Sequence, residues 1–474
     1  MNVRFAIPVC LIMPLSVFAA ETATSLQDQK NVAVTIYNDN LALVKDQRNL
    51  HLDPGSSTLA FKDVSAQIRP ETALLRSLSQ PGKLAVIEQN FDFDLLTPQK
   101  LLDKFVGKTV TIVKTNPATG AESSELAHVL ANNAGTVLKF SDRIETGVPG
   151  RIVYPEVPAN LRERPTLVMS LTNSGAANQD VELSYLTGGL GWHADYVAEL
   201  NAAENKLDLS GWVTLTNTSG TTYRNAKLQL VAGDVNRVVA AMPMLAAPMA
   251  ARKAEMAADN AMREESLLEY HLYSLDRSTT IEESQTKQVS LLSASEVPAR
   301  KELVLQGSSY YYQASYGDLG QKLKVGTFLE FDNKEVAHLG LPLPKGVMRV
   351  YKKDANGNVQ FVGEDSIDHT PKNEKVRLKL GDSFDVTADK KQTDFKKIAG
   401  DSRNLTIESA YDIQLKNAKN EVVTVTVLEP VPGDWKIVSE SQPHTKGASN
   451  TAVWKIIVPA EGKVSLVYRT RVKF

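Results

Sequence analysis

The chain has 474 residues, of which 42% are hydrophobic and 23% charged, with 53 lysine and arginine residues against 55 aspartate and glutamate residues. This is the composition of an ordinary globular protein, long enough for several domains of about 100–200 residues each. The charge is nearly balanced and forms no basic stripe, which argues against nucleic acid as a partner.

The first residues predict a secretory signal peptide at 1–19. Arg4 precedes an apolar run from Phe5 to Phe18, and Val17-Phe18-Ala19 supplies a small-residue cleavage site. The run is too short to cross a bilayer, and no stop-transfer segment follows it. Cys10, the single cysteine, lies inside this run, so the mature chain would have no disulfide and no thiolate site. We expect an exported protein, periplasmic, envelope-associated or extracellular, with no transmembrane segment after cleavage.

Residues 31–160 predict an N-terminal β domain with one short helix. Two alternating runs are broken at Asn38-Asp39-Asn40, a cluster of turn-forming residues. Thr97-Pro98 is typical of a helix start, with a capping hydroxyl followed by proline at the first helical position. Gly107 is expected to end that helix.

Two further β domains are predicted, at 161–340 and 341–474. Strand-length runs ending in Asn, Ser or Gly are typical of a sandwich. Residues 239–263 break the pattern with alanine, methionine and proline, which predicts a flexible insertion on a sandwich loop. The expected fold class is mainly β: multi-domain antiparallel β-sandwiches of immunoglobulin-like type, with one short helix and this mobile Ala/Met/Pro insertion.

Several segments resemble a secreted bacterial family of unknown function that includes the mucoidy-inhibitor-like proteins. The resemblance covers roughly 165–474 and is carried by GLGWHADYVAEL, LSGWVTLTNTSGTTYRNAKLQLVAGDV and the C-terminal run YDIQLKNAKNEVVTVTVLEPVPGDWKI. Its marker residues here are Trp192, Tyr196, Tyr223, Asn225 and Leu228. The resemblance implies β-sandwich modules and an envelope location, and it brings no catalytic or binding residues.

Two short motifs match known cofactor-binding or catalytic patterns, but their sequence context does not fit those patterns. Gly189-Leu190-Gly191 begins a G-x-G-x-x-A match to the dinucleotide fingerprint, but the alternating run before it is an antiparallel pattern, so a glycine bend between strands is the better interpretation. Ser284-Gln285-Thr286-Lys287 matches S-x-x-K of penicillin-recognising enzymes, yet the required S-D-N and K-T-G partners are missing from the sequence. Neither motif predicts a cofactor or a catalytic serine.

Three places in the sequence resemble metal sites. His193 and Asp195 lie two apart on one strand face, but a site needs a third ligand from elsewhere. The run from Asp354 begins like a calcium loop but departs from it at the sixth and twelfth positions, and Asn356-Gly357 favours a hairpin turn. Five methionines between Met242 and Met262 could bind Cu(I), although a linker or hydrophobic docking arm is favoured. No metal or cofactor is predicted.

Three functional hypotheses remain. The favoured one is a non-enzymatic envelope protein that binds an envelope protein or a surface glycan, with these aromatic residues as contacts if they are exposed: Trp192, Tyr196, Tyr310, Tyr311 and Tyr312. The alternative is an envelope hydrolase whose carboxylates come from distant parts of the chain. A membrane barrel ranks last, because the strands carry charges throughout and aromatics are sparse. No catalytic residue is predicted.

Overall fold

A computed structural model describes residues 21–38, 40–92, 94–158, 161–233, 235–236, 262–399 and 405–474. The predicted signal peptide and nearly all of the predicted insertion at 239–263 lie outside these residues. In the described ranges the chain forms β-strands, one α-helix (α1, Pro98–Lys104) and four short 3₁₀ turns, at Leu26–Asp28, Pro70–Thr72, Ser309–Tyr312 and Glu335–Ala337. The prediction of a mainly β protein built of several sheets, with one short helix near its N-terminus, is confirmed. None of the described helices is long and apolar enough to cross a membrane.

The strands of the described ranges are, in chain order, β1 (Glu21–Thr24), β2 (Gln29–Tyr37), β3 (Leu41–His51), β4 (Gly55–Lys62), β5 (Leu74–Ser77), β6 (Leu84–Asp92), β7 (Thr109–Thr115), β8 (Glu122–Ala131), β9 (Val137–Lys139), β10 (Ile144–Thr146), β11 (Arg151–Val153), β12 (Thr166–Asn173), β13 (Asn178–Thr187), β14 (Leu190–Leu200), β15 (Lys206–Asn217), β16 (Tyr223–Ala232), β17 (Arg263–Leu267), β18 (Tyr270–Ser274), β19 (Thr279–Ile281), β20 (Gln285–Gln306), β21 (Asp318–Asp332), β22 (Gly346–Lys353), β23 (Val359–Ile367), β24 (Lys375–Ala399), β25 (Thr406–Asn417), β26 (Val423–Pro430), β27 (Asp434–Glu440), β28 (Thr445–Ala448), β29 (Thr451–Val458) and β30 (Lys463–Lys473).

These strands belong to two compact units that alternate along the chain. The first unit comprises the described residues up to Gly191 together with 216–231 and 277–287. The second comprises 192–215, the described residues of 232–276, and the described residues from Gln288 to Phe474. Most neighbouring strands are antiparallel, but some pairs are parallel, among them β14 with β22 and β20 with β26. Such pairs join segments that lie far apart in sequence, so strand patterns alone do not predict them.

In the first unit, two sheets face each other as a sandwich. One has the order β1-β4-β12-β6, and the other contains β16-β2-β3-β13-β5 with β19 beside β16. The fully buried Arg48 of β3 reaches across the interior, where its guanidinium lies 3.8 Å from the ring centre of Phe61 on β4. Its charge is balanced by Asp46, 2.8 Å away. A buried ion pair therefore contributes to the contact between the two sheets.

A small module with its own core is inserted in this sandwich, between β6 and β12. It holds α1 and a five-stranded sheet of order β10-β9-β8-β7-β11, and its core includes Phe105, Ile112 and Phe140. Thr97 accepts a hydrogen bond from the backbone of Lys100, as its predicted capping role requires. We call residues 97–154 the inserted module.

The second unit ends in a C-terminal sandwich of two layers. One layer has the order β21-β24-β25-β30-β27, and the other places β26 between β20 and β29. β20 also pairs with β21, so this strand passes from one layer to the other. Its core is strongly aromatic, with Tyr312, Tyr411, Trp454 and Tyr468 all buried. This sandwich holds the buried charged pair described below.

The same asparagine turn closes strands in both units. Asn217 ends β15 and Asn417 ends β25, each as the third residue of a Leu-x-Asn sequence. Each side-chain oxygen accepts a bond from the backbone nitrogen two residues on, and each side-chain nitrogen donates to the carbonyl four residues on. Because asparagine can mimic a backbone turn in this way, it lets a buried strand end without unpaired polar groups.

Candidate functional site

Trp192 and Tyr196, predicted as contact residues, both lie inside the second unit. Trp192 on β14 is buried, and Tyr196 four residues on is fully buried. The Tyr196 hydroxyl donates a hydrogen bond to the carbonyl of Pro344 at 2.8 Å. Both rings therefore pack inside the fold, as is usual for large aromatics with one polar atom.

The three predicted tyrosines fall in one 3₁₀ turn but in different environments. Tyr310 is exposed, whereas Tyr311 and Tyr312 are buried in the C-terminal sandwich. The Tyr310 ring packs edge-on against Tyr311 at 4.6 Å between centroids. Of the three, only Tyr310 therefore offers an open aromatic surface. Tyr311 and Tyr312 contact a buried pair of oppositely charged side chains.

That pair is Lys390 on β24 and Glu429 on β26. The Lys390 ammonium lies 2.6 and 2.7 Å from the two carboxylate oxygens, and the side chains are 1% and 0% exposed. The Tyr312 hydroxyl donates to the same carboxylate at 2.8 Å. Burial lowers the pKa of Lys390, an effect that the charge of Glu429 opposes. The amine and the carboxyl group thus hold each other in the buried interior, and a phenol is bonded to the same carboxyl group.

Aromatic rings enclose the lysine. Its ammonium lies 4.1 Å from the ring centre of Tyr311 and 5.1 Å from that of Tyr411. A cation is attracted to the face of an aromatic ring, and more strongly where water is excluded. Tyr411 stacks on Tyr468 at 5.1 Å, and Trp454 lies against Tyr468 at 4.7 Å. We call this set, with Lys390 and Glu429 at its centre, the tyrosine box.

Sequence reasoning missed the tyrosine box although its pattern was visible. Val386 and Ala388 mark the inward phase of β24, and Lys390 continues that phase two residues on. In β26 and the residue after it, Val427, Glu429 and Val431 repeat the arrangement. A charged residue at an inward position of an alternating strand predicts a buried charge, and a buried charge requires a partner.

His193 and Asp195 do come together, on the face of β14. The His193 Nε2 lies 3.1 Å from Asp195, which also accepts bonds from Thr214 at 2.6 Å and Arg349 at 2.9 Å. Burial alone would raise the pKa of Asp195, but the bonds from His193, Thr214 and Arg349 outweigh burial and hold it well below its usual range. Within the described ranges, no three His, Cys, Asp or Glu side chains form a group that could hold a metal ion. The arrangement is an ion-pair network across neighbouring strands.

This network predicts a pH-dependent cost for Asp195→Asn. We expect the substitution to lower the free energy of unfolding by about 1–3 kcal/mol at neutral pH, because it removes a charged acceptor from three donors. The folded pKa lies below the unfolded value of about 3.9, so the carboxylate stabilises the fold above pH 4 and stops doing so as the pH falls further. Urea unfolding of both proteins over an acidic pH series measures the difference. A cost that stays constant down to low pH would contradict this assignment.

The two short motifs have structural roles. Gly189 lies in the bend between β13 and β14 with φ of +77°, where a Cβ would come within 2.5 Å of Ser219 Cα. Ser284 directly precedes β20 with φ of +58°, and Lys287 donates to the carbonyl of Thr280. The structure thus has a strand on each side of Gly189, with Gly191 inside β14, and Ser284 does not begin a helix.

The calcium-like run is a hairpin turn. One Asp354 oxygen accepts hydrogen bonds from the backbone nitrogens of Asn356 and Asn358, both at 2.9 Å, and Gly357 takes a φ of +84°. Of the predicted methionine cluster, only Met262 is among the described residues, where it is buried. The structure therefore does not test the docking-arm hypothesis.

The hairpin formed by β22 and β23, which we call the hairpin arm, leaves an apolar edge open. β23 is the last strand in its sheet order, and Val359, Phe361 and Val362 are all exposed, Phe361 by 54%. The ring of Phe361 packs only edge-on against Tyr351, at 5.6 Å. Edge strands of this kind expose unpaired backbone groups, which natural proteins usually shield with charge or proline.

The free part of this edge is short because β24 covers the rest. A Cβ on Gly363 would lie 2.4 Å from the carbonyl oxygen of Leu380, so the two backbones approach closely there. Asp365 accepts a bond from the backbone nitrogen of Lys379 at 2.8 Å. Residues 359–362 therefore form the open stretch, long enough to pair with a short extended segment.

Acidic side chains flank this stretch. Residues 354–370 contain Asp354, Glu364, Asp365 and Asp368 and no lysine or arginine. On the neighbouring strand, Lys353 lies 2.8 Å from Glu199, so its charge is already balanced. The segment that forms the open edge therefore carries a net negative charge of its own, although Arg349 lies 3.1 Å from Glu364 and balances that carboxylate.

The fold and surface define the structural class of the protein. It is a mainly β protein of several sandwiches, with a small inserted module and an open hairpin arm. The model of a domain of unknown function, DUF4139, matches residues 181–474, which is more than half of the chain. The chain belongs to this DUF4139 family. A comparison with the curated proteins finds no match. The family is one of unknown function.

Proposed function

We propose that this is an exported, non-enzymatic envelope protein that binds an extended segment of another envelope protein through the hairpin arm. Export is supported by Arg4 and the apolar run from Phe5 to Phe18, which have the form of a signal peptide. The resemblance to mucoidy-inhibitor-like proteins supports the same location. The open apolar edge at 359–362 carries the binding part of the proposal.

An extended polypeptide is the ligand that best complements this edge. A sheet edge offers alternating backbone donors and acceptors, and an incoming strand satisfies them while its side chains lie beside those of Val359 and Phe361. A glycan does not match the repeat of a strand edge. Strand addition therefore fits the surface better than glycan binding does.

The charge around the edge indicates the chemistry of the partner. Asp354 and Asp365, on either side of the stretch, favour a segment in which lysine or arginine flanks apolar residues. Opposite charges across an interface raise the association rate and reject acidic competitors. The proposed partner is therefore a basic, β-prone segment exposed by another envelope protein.

Binding of a labelled peptide in which valine alternates with lysine tests this proposal. We expect Phe361→Lys to weaken binding by at least about tenfold, since it places a cation at the centre of the edge. The matched control is Phe384→Lys, because Phe384 is 96% exposed in the same unit but lies on β24. Fluorescence anisotropy measures the affinity, and hydrogen exchange should show new protection at 359–362.

Several results would contradict the proposal. Equal binding by Phe361→Lys and the wild type would remove the edge from the interface. Equal binding of a peptide with glutamate in place of lysine would remove the charge argument. Concentration-dependent dimerisation that Phe361→Lys abolishes would show that a second copy of the chain occupies the edge.

A further inference from the structure

The tyrosine box joins the two layers of the C-terminal sandwich at one point. Lys390 belongs to β24 in one layer, and Glu429 belongs to β26 in the other. Immunoglobulin sandwiches place a disulfide between their layers, with a buried tryptophan packed against it. Here the fully buried Trp454 packs against Tyr468, whose hydroxyl lies 2.9 Å from that of Tyr312, which in turn donates to Glu429. The pair therefore connects two layers, as that disulfide does.

A disulfide cannot serve this chain. Cys10 is its single cysteine, and the strands from β1 to β30 contain none. A covalent link between the layers would therefore need another chemistry. An amine next to a carboxyl group in a dry interior supplies one, because the two can condense to an amide.

The geometry around Glu429 suits condensation. The Lys390 nitrogen is nearly equidistant from both carboxyl oxygens, at 2.6 and 2.7 Å, and so lies close to the carbon between them. Rotation of the carboxyl group would turn its face to the amine. Gly307 leaves room beside that group, since a Cβ there would lie 2.6 Å from the carboxyl carbon. With both side chains almost fully buried, water to reverse the reaction has little access.

We propose that the side chains of Lys390 and Glu429 condense to an amide that cross-links β24 to β26. A proton first passes from the ammonium to the carboxylate, giving a neutral amine and a neutral acid. The amine nitrogen then bonds to the carboxyl carbon and gives up one proton. The hydroxyl group takes that proton as its bond to the carbon breaks, and one water molecule leaves. Nothing is oxidised or reduced, and no co-reactant is needed.

The surroundings assist each stage. Burial disfavours the charged amine and so favours the neutral form that attacks. The Tyr312 hydroxyl donates to the carboxyl oxygen and stabilises the negative charge that develops there during attack. The Tyr468 hydroxyl, bonded to that of Tyr312, extends the path by which protons can move.

The test is the intact mass of the purified full-length mature protein. The cross-linked chain should be lighter than its sequence mass by one water molecule. Trypsin should release peptides 380–391 and 420–436 as one branched species, since an acylated Lys390 is not cleaved. Lys390→Met should restore the full sequence mass. Glu429→Gln should instead lose ammonia and yield the same amide.

A matched control uses a second ion pair near the first. Lys416 contacts Asp389 at the surface of the same sandwich, so Lys416→Met should keep the loss of water. Unchanged mass in the folded wild type, with separate tryptic peptides, would overturn the proposal and leave a buried ion pair. Loss of water that persists in Lys390→Met would place the reaction elsewhere and overturn it as well.

Discussion

Replacing Lys390 with methionine is expected to lower the free energy of unfolding by about 3–5 kcal/mol, because it strands a buried carboxylate without its counter-ion. Glu429 is fully buried, and the Tyr312 hydroxyl alone would remain to solvate it. A covalent bond between the two side chains would add to the loss, since it also restricts the unfolded chain. Urea unfolding followed by tryptophan fluorescence reports on this core through Trp435 and Trp454.

Two further variants distinguish the cost of stranding a buried charge from the cost of changing a side chain. The double variant Lys390→Met/Glu429→Leu should recover the part of the loss that comes from the stranded carboxylate, because a buried ion pair can often be exchanged for apolar side chains without loss. Lys416→Met, which breaks the more exposed pair with Asp389, should cost at most about 1 kcal/mol. Equal costs for the Lys390 and Lys416 variants would show that burial of the first pair does not govern its energy.

The strands were the most predictable part of this fold. Alternation indicated the runs that form β13, β15, β16, β25, β26, β29 and β30, and Asn356-Gly357 indicated the hairpin arm. Thr97 and Pro98 located the helix start, since the capping oxygen and the missing amide both act within one turn of helix. These features depend on neighbours in sequence, which a sequence displays.

The pairing of strands was not predictable in this way. β14 pairs in parallel with β22, and β2 pairs in parallel with β16, across long separations in sequence. Nothing local encodes such partners, because any alternating strand presents the same backbone groups to either side. For the same reason the tyrosine box escaped prediction. Lys390 and Glu429 each break an inward pattern, but only the fold shows that they break it at the same place.

The inserted module should unfold on its own when Phe105 is replaced by alanine. Phe105 is almost fully buried and packs edge-on against Tyr154 at 5.0 Å. Truncating a buried phenylalanine costs about 3–5 kcal/mol, which is a large share of the roughly 3–9 kcal/mol that stabilises a module of about sixty residues. Hydrogen exchange should therefore show lost protection in β7 to β9, while β12 and β13 keep theirs.

The control for this variant lies on the same sheet. Leu126 of β8 is 66% exposed, so Leu126→Ala should change stability by less than about 0.5 kcal/mol. The module has a core of its own, formed by buried residues between Leu102 and Phe140. Cooperative loss of protection in β12 and β13 together with β7 would show instead that the sandwich and the module fold as one. In that case the module could not have been added to the β6–β12 connection as a self-sufficient part.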